Sequence, residues 1–395
     1  MRRIFLFTNN FPYSHEECFL EDEIVFLCNH FEKVFVIPFY KRTETHRPVP
    51  NNCVICEAMD FTKNRLTYII RGLFDFRTIL PLVKEFFSEK VFLSITRFKA
   101  WCVAYRYINN CLHYTPVKNV VRQMTKEDVA FFYWGTGQNL MSLYLKDKVH
   151  LVSRFHGDWD LWEEKYGGFM PLRKTVAKHL DIAAFISDVG KTYFKQKYPY
   201  ANAICIPLGS KDYGIGVPSP NDNILRVLSC STVYPLKRVP LIFETLNAYT
   251  TKKIEWTHFG AGSHFEALKN QVEAERKNHL VVNLMGNVPH DEVMDYYKKH
   301  HFDVFINVST SEGVPVSIME AMSFGIPIVA TNVGATSEEV TEDVGVLLSP
   351  DPTIEELQDA IKKVAEGRYT PRKRWEERYN ANENYTKFCK LLKNL

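Results

Sequence analysis

Short apolar runs alternate with longer amphipathic stretches through most of the chain. Five runs in the first half are typical of buried strands, at residues 4–7, 34–37, 130–133, 150–155 and 183–187. Helical patterns separate them, for example at residues 17–30 and 172–180. This alternation predicts a parallel sheet covered by helices.

A second alternating series follows a segment rich in glycine and proline. Residues 207–220 hold three glycines and three prolines, which predicts a linker. Further strands are predicted at residues 225–230, 254–259, 280–285, 303–308 and 328–331. The fold class is therefore α/β, with two doubly wound domains, a hinge, and ligand at the carboxyl ends of the strands.

Size and composition agree with this organisation. A chain of 395 residues, 46% apolar and 24% charged, is typical of a globular protein with two domains. Its nine cysteines are odd in number and irregularly spaced, which favours free thiols in a reducing cytoplasm over a disulfide framework. No apolar run is long enough to span a bilayer.

Charge is unevenly distributed although the net charge is only +3. Residues 61–123 carry eleven Lys or Arg against three acids, a local +8, which leaves −5 for the remainder. The same stretch is rich in Phe, Trp and Tyr. Two interpretations stay open: an anionic membrane surface binds here, with Arg97 and Lys99 among the contacts, or the charges form a solvated face over an ordinary core. Nucleic acid is not predicted, because no recognition motif accompanies the charge.

The segment from Ser311 to Pro327, SEGVPVSIMEAMSFGIP, contains the most informative pattern. It lies between two predicted strands and reads as a loop followed by a short helix. Pro315 suits the first helical turn, and Gly325 suits the left-handed residue past the end. Glu312 then lies on the loop and Glu320 inside the helix, both beside an N-terminus that favours anions. A nucleotide sugar would suit this arrangement, because its phosphate can bind the amides and its hydroxyl groups can bind the two carboxylates.

This segment resembles the paired-glutamate motif of retaining GT-B glycosyltransferases of glycosyltransferase family 4. The resemblance implies two Rossmann-like domains with an interdomain cleft. It also implies that Glu320 holds the ribose hydroxyls and Glu312 contacts the transferred sugar. Phosphate or sugar oxygens would be received by the backbone of Gly313, Val314, Pro315, Val316 and Ser317. Many members have glycine where this chain has Pro315, so one amide donor is missing.

Two cations follow the predicted strand 225–230, where a departing diphosphate needs positive charge. Family members commonly place an Arg there and a Lys five residues later. Lys237 matches that Lys, whereas the Arg position falls on Thr232, and Arg238 is the predicted substitute.

Other site residues are predicted at strand ends. By resemblance, His156 contacts the donor sugar near the reacting centre, with Arg154 and Asp158 as weaker candidates. The acceptor side is assigned to His15, Glu17, Trp134 and Asp158, and the nucleotide base to Gly286, Asn287 and Val288. The remaining histidines considered are predicted to be structural or solvated: His113, His258, His290, His300 and His301.

The domain boundaries are predicted as residues 1–210 for an acceptor-side domain and 211–371 for a nucleotide-sugar domain. Residues 372–395 are predicted as one helix, which by resemblance packs back on the first domain. No cofactor is predicted. No paired acids of metal-binding type stand at a strand end of the second domain, so metal independence is expected; the nearest spacing, Asp158-x-Asp160, lies in the first.

The predicted function is transfer of a sugar, with retained anomeric configuration, from a UDP- or GDP-sugar to an acceptor hydroxyl. The resemblance and the basic stretch suggest a saccharide or lipid-linked saccharide acceptor in bacterial surface polysaccharide synthesis, at the inner face of the membrane. Two alternatives remain: a GT-B-like sugar-nucleotide epimerase and a non-catalytic nucleotide-sugar-binding protein.

Overall fold

The apolar runs of the first half pair as parallel strands in one sheet. The computed structural model describes residues 2–13, 17, 19–59, 65–157 and 159–395. Strands β1 to β7 are Arg3–Thr8, Lys33–Pro38, Cys53–Ile55, Val129–Phe132, His150–Phe155, Ile182–Phe185 and Ala203–Cys205. Their spatial order is β3-β2-β1-β4-β5-β6-β7, so the winding reverses between β1 and β4. The five predicted strands are confirmed; β3 and β7 were not predicted, because three half-buried residues at a sheet edge give little apolar signal.

Helices cover both faces of this sheet, as a parallel sheet requires. Helices α1 to α8 are Leu20–His30, Arg65–Gly72, Phe76–Ser88, Ile95–His113, Thr115–Arg122, Ser142–Leu145, Arg173–His179 and Asp188–Lys197. Single 3₁₀ turns occur at Val91–Leu93, Gln138–Met141 and Glu163–Tyr166. The central strand β1 is buried on both sides: Ile4 and Leu6 lie in one apolar cluster, and Phe5 and Phe7 lie in another. Phe5 stacks on Phe35 with ring centroids 4.7 Å apart.

The second half of the chain forms a separate six-stranded parallel sheet. Strands β8 to β13 are Ile224–Cys230, Lys253–Phe259, Leu280–Gly286, Val304–Asn307, Ile328–Thr331 and Gly345–Leu348. Their order is β10-β9-β8-β11-β12-β13, which places the reversal between β8 and β11. Helices α9 to α16 are Val239–Ala248, Phe265–Glu275, His290–Lys299, Val316–Ser323, Thr336–Glu339, Ile354–Glu366, Pro371–Arg378 and Ala381–Lys393, and a 3₁₀ turn covers Pro235–Lys237.

The chain divides into two compact units. The first contains Met1–Ile206 and Tyr385–Leu395, and the second contains Pro207–Asn384. The sequence places these boundaries at residues 210 and 371. Residues 207–210 belong to the second unit because Ser210 is held there: its Oγ accepts a hydrogen bond of 2.8 Å from the Trp375 indole, with both groups buried.

The C-terminal segment is two helices where one is predicted. Helix α15 ends at Arg378, and α16 starts at Ala381. Between them Ser210 donates its main-chain N–H to Tyr379 and accepts from that of Ala381, so this short bridge replaces helical hydrogen bonds. From Tyr385 onward the residues of α16 belong to the first unit, where Phe388, Cys389 and Leu392 are buried in the same cluster as Ile4.

A buried ion pair lies inside the first unit. Arg154 of β5 binds Glu23 of α1, and each side chain is only 1% exposed. The guanidinium also lies 4.6 Å from the ring centroid of Phe388. Burial lowers the pKa of Arg154, but the adjacent Glu23 carboxylate outweighs this and raises it. Arg154 is therefore a core residue, and its assignment as a weak site candidate is wrong because its side chain points into the protein.

Two further predictions concern membrane-spanning helices and the cysteines. Among the helices of the described part, none is both long and apolar enough to cross a membrane. Eight cysteines lie in the described ranges and all are free thiols.

Glu85 of α3 carries a buried carboxyl group with an altered acidity. Its Oε1 accepts the main-chain N–H of Leu172 at 2.6 Å. Burial raises the pKa of Glu85 to about 7, only partly opposed by this hydrogen bond, and Glu89 adds to the increase. The folded protein thus binds this proton more tightly than the unfolded chain, whose pKa is near 4.5. Its contribution to stability is complete below pH 4.5 and is lost as the pH rises to about 7.

Replacing Glu85 by glutamine should remove this pH dependence. Glutamine keeps an acceptor for Leu172 but cannot ionise. The wild type should therefore lose about 3 kcal/mol of unfolding free energy relative to the variant as the pH rises from 4.5 to 8. Urea unfolding at both pH values measures the difference. Glu127→Gln, a change at an exposed carboxylate, should keep the wild-type dependence. If the unfolding free energy of Glu85→Gln and of the wild type changed equally with pH, the raised pKa assigned to Glu85 would be contradicted.

Candidate functional site

The helix α12 begins without a side-chain cap. Pro315 is its N-cap residue, with φ −75° and ψ 110°, and it makes no capping hydrogen bond. The helix thus starts at Val316, one residue later than predicted, because the extended ψ of Pro315 precedes the first turn. Amides at such a start are available to an anion. Beyond the other end, Gly325 takes the predicted left-handed conformation, with φ 81°.

Glu312 is held between two adjacent strands. Its Oε1 accepts hydrogen bonds from Lys237 Nζ at 2.5 Å and from Asn307 Nδ2 at 3.2 Å, and its side chain is 10% exposed. Lys237 follows β8, and Asn307 ends β11. Since the winding of the sheet reverses between these two strands, the ion pair lies where ligands of doubly wound sheets bind. Asn307 was not predicted, although a polar residue closing an apolar strand was a usable signal.

The loop that carries Glu312 is fixed by its neighbours. Thr310 donates its main-chain N–H to Leu236 at 2.8 Å, which joins this loop to the turn that carries Lys237. On the other side Gly334 approaches closely, so that a Cβ added there would lie 1.9 Å from the carbonyl oxygen of Glu312. With φ 58° as well, position 334 requires glycine.

Glu320 has a partner that the sequence interpretation missed. Its Oε1 lies 2.7 Å from Nε2 of His290, the first residue of α11. The Glu320 side chain is 10% exposed and that of His290 is 51% exposed. His290 was predicted to be structural or solvated, and the structure instead places it on a candidate site carboxylate. A usable signal was its position directly after the turn at the carboxyl end of β10.

The loop predicted to contact the base is tied to the next strand end. Asn287 Oδ1 accepts the main-chain N–H of Ala261 at 3.1 Å, and Gly286 accepts that of Gly260 at 2.8 Å. Asn287 itself is exposed and Val288 is half-buried. The structure fixes the position of this loop at the carboxyl edge of the sheet, and base contact stays a prediction.

The side chain of Arg238 is bound to groups at the ends of two strands. It adopts a left-handed conformation, φ 47°, and donates to the carbonyl oxygens of Val308 at 2.6 Å and Pro350 at 2.7 Å, and to Asp351 at 2.9 Å. Burial lowers its pKa, although Asp351 opposes the change. Arg238 therefore fixes two strand ends, and Lys237 is the cation that meets Glu312.

In the first unit, His156 is positioned by Asp160. The carboxylate accepts the main-chain N–H groups of His156 and Gly157 at 3.0 Å and that of Gly135 at 2.9 Å. His156 Nδ1 lies 3.4 Å from the same carboxylate. Burial alone raises the pKa of Asp160, but the hydrogen bonds from His156 and the backbone hold it below its usual value. Within the described ranges, His156 Nε2 is buried and has no hydrogen-bond partner.

Aromatic rings and a second carboxylate complete this cluster. The ring centroid of Trp134 lies 4.3 Å from that of His156. The Trp134 indole N–H donates to Glu17, which is 1% exposed. Glu17 also accepts the main-chain N–H groups of residues 9–11 at 2.5–3.1 Å. Glu17 therefore organises the loop after β1, and its acceptor contact stays a prediction.

Two predicted acceptor-side residues, His15 and Asp158, lie outside the described residues. In the part of the chain that the structure describes, no group of three or more His, Cys, Asp or Glu side chains is arranged to hold a metal ion. Asp160, from the Asp158-x-Asp160 spacing considered for a metal, uses its carboxylate to accept hydrogen bonds from main-chain N–H groups.

Sequence comparison identifies the second unit. Residues 219–383 match the family model described as Glycosyl transferases group 1, and they include Lys237, Glu312 and Glu320. The chain is 24% identical over 186 residues to the amylovoran biosynthesis glycosyltransferase AmsK of Erwinia amylovora, which covers 43% of this chain and 45% of that protein. The chain spans less than half the length of the first curated relatives that it matches.

Structural comparison covers the whole chain. The lipopolysaccharide outer core galactosyltransferase WaaB, in its apo form, superposes with a TM-score of 0.70 at 14% identity over 99% of both chains. Anabaena Alr3699/HepE in complex with UDP gives a TM-score of 0.68 at 15% identity over 100% of both chains. The chain therefore has a GT-B fold with two Rossmann-like units, and its second unit carries a glycosyl transferases group 1 domain.

Proposed function

We propose that this protein is a retaining, metal-independent glycosyltransferase that uses a nucleotide sugar. The observation that carries the proposal is the Lys237–Glu312 pair at the reversal point of the second sheet, beside the uncapped start of α12. A cation, free amides and two carboxylates within one group 1 domain match the chemistry of a sugar diphosphate.

In this proposal the diphosphate binds the start of α12 and Lys237. Binding draws Lys237 toward the phosphates and frees Glu312 to accept hydrogen bonds from sugar hydroxyls. Glu320 accepts from the ribose hydroxyls, and His290, which occupies Glu320 here, moves to the edge of the nucleotide. The loop at Gly286, Asn287 and Val288 borders the base.

The chemical step breaks the bond between the anomeric carbon and the phosphate oxygen. The acceptor oxygen attacks from the same face, and its proton passes to the leaving phosphate. Lys237 and the α12 amides stabilise the charge that develops on that phosphate, as fixed dipoles do in other transfer reactions. Glu312 holds the sugar in place. For the first unit, we propose that Nε2 of His156 bonds a sugar hydroxyl.

The proposed acceptor is a lipid-linked saccharide used in bacterial surface polysaccharide synthesis. The similarity to a glycosyltransferase of amylovoran biosynthesis supports this class of product. A donor with a uridine diphosphate group is favoured, since the structurally similar protein HepE has a structure in complex with UDP.

A thermal-shift screen with UDP-, GDP-, ADP- and CMP-sugars tests the donor. We expect one class to raise the melting temperature, also in EDTA, and NMR of the product to show a retained anomer. An isomerised donor formed without acceptor would favour an epimerase. Stabilisation without any turnover would favour a binding protein.

Replacing Glu320 by alanine should weaken donor binding by about 10- to 100-fold, because charged hydrogen bonds to the ribose hydroxyls are lost. Isothermal titration with the nucleoside diphosphate measures this change. The matched control is the 2′-deoxynucleotide: wild type should distinguish it from the ribonucleotide, and the variant should do so less. Equal discrimination by both proteins would contradict the ribose assignment.

A further inference from the structure

Exposed apolar side chains are concentrated on one part of the first unit. Among the described residues, twelve of the 23 exposed large apolar side chains lie between Ile70 and Val103, on α2, α3, α4 and the segments that join them. Other aromatic residues of the same stretch, Trp101 and Tyr105 among them, pack against the core. Some of the aromatic residues between 61 and 123 therefore belong to the core, and others form an exposed surface.

A cavity opens within this surface. Its volume is about 520 Å³, and four basic side chains line it: Arg71, Arg77, His113 and Lys118. One acid, Asp75, also lines it, and Arg77 binds that carboxylate at 2.8 Å. Among the described residues, neither Arg71 nor Lys118 forms an ion pair with an acid. The cavity thus carries uncompensated positive charge.

His113 is a buried imidazole beside these cations. Within the described ranges, neither of its ring nitrogens has a hydrogen-bond partner, although both are buried. Burial lowers the pKa of His113, and Lys118 lowers it further. A phosphate in the cavity would offset the repulsion among these positive charges.

Two phenylalanines stand at the cavity. Phe74 is 76% exposed and Phe76 is 70% exposed, and both line it. A soluble phosphate compound needs no such apolar rim. Aromatic side chains beside basic ones are instead suited to a bilayer interface, where rings enter the acyl boundary and cations meet headgroups.

We propose that this cavity binds the phosphate of an anionic phospholipid headgroup while Phe74 and Phe76 enter the bilayer interface. Arg71 and Lys118 are the principal cations. Arg97, one of the two membrane contacts named with Lys99 for this stretch, is used within the protein: it donates to the carbonyl oxygen of Glu89 at 2.9 Å and lies over Phe169. The proposal concerns the first unit and does not depend on the reaction proposed for the second.

Vesicle binding tests the proposal. The full chain should co-sediment with vesicles of phosphatidylglycerol and phosphatidylcholine, less so with phosphatidylcholine alone, and binding should fall as salt rises. Arg71→Gln/Lys118→Gln should weaken partitioning by roughly 30-fold, because each cation near the surface contributes separately. Lys362→Gln/Lys363→Gln removes the same charge from an exposed helix of the second unit and should leave binding unchanged.

The contribution of the two phenylalanines is tested separately. Phe74→Ser/Phe76→Ser should reduce binding, whereas Ile215→Ser, at an equally exposed position outside this surface, should not. Hydrogen–deuterium exchange on the unaltered protein provides a measurement that needs no variant, with protection by vesicles expected at residues 70–118. Failure to bind vesicles, or protection elsewhere, would overturn the proposal. Binding of glycerol phosphate without any vesicle binding would also overturn it, since the cavity would then be a site for soluble phosphates.

Discussion

Replacing Glu312 by glutamine is expected to lower the rate of sugar transfer by about 100- to 1000-fold. The carboxylate is held by Lys237 and Asn307 beside the start of α12, and glutamine keeps its shape but not its charge. A neutral amide bonds the sugar hydroxyls less strongly and places an N–H donor against the Lys237 ammonium. Transfer from the donor found in the screen, measured at saturation, gives the change in kcat.

Donor binding should respond differently from the rate. Loss of the acid leaves Lys237 without its counter-charge, so the Kd for the nucleoside diphosphate should stay equal or decrease. Glu366→Gln, an exposed change on α14, is the matched control and should alter neither quantity. An unchanged kcat in Glu312→Gln would exclude Glu312 from the reacting centre. A large increase in Kd with kcat preserved would make it a binding residue only.

Replacing Glu23 by glutamine is expected to destabilise the first unit by about 3–5 kcal/mol. The change leaves the Arg154 guanidinium charged and buried, with each side chain of the pair only 1% exposed in the wild type. The melting temperature should fall by about 10 °C, as expected for a unit of this size. Calorimetry and urea unfolding followed by tryptophan fluorescence both measure the effect.

Removing both charges should reverse most of the loss. Glu23→Leu/Arg154→Met leaves no buried charge unpaired and should be far more stable than Glu23→Gln. The control is Glu44→Gln, which breaks an exposed pair with Lys41 and should leave the midpoint unchanged. A double variant as unstable as the single one would show that packing, and not the unpaired charge, causes the loss.

The main strands and the paired-glutamate helix could be predicted because their signals are local. An apolar run such as that of β1 needs no knowledge of its neighbours, and the spacing from Glu312 to Glu320 lies within one loop and helix. The contact between His290 and Glu320 is different. It depends on where α11 begins after crossing from β10 to β11, and residue spacing does not specify that position.

Arg154 shows the opposite error. A charged residue two positions before His156 near a strand end suggests a site, but the side chain of Arg154 is buried against Glu23 and Phe388. Its partner Glu23 is 131 positions away in the sequence. Alternation along a strand places residues 154 and 156 on the same face, and only the packing of α1 against the sheet shows that this face also holds the acid.

Residues 385–395 complete the core of the first unit, since Phe388, Cys389 and Leu392 are buried with Ile4 and Leu6. During translation, the amino-terminal half therefore emerges from the ribosome long before the segment that closes its core. Until residues 385–395 have been synthesised, an apolar face of that half lacks its cover. The core of the first unit is thus completed only after the whole second unit has been synthesised, and release of the nascent chain before that point would leave it incomplete.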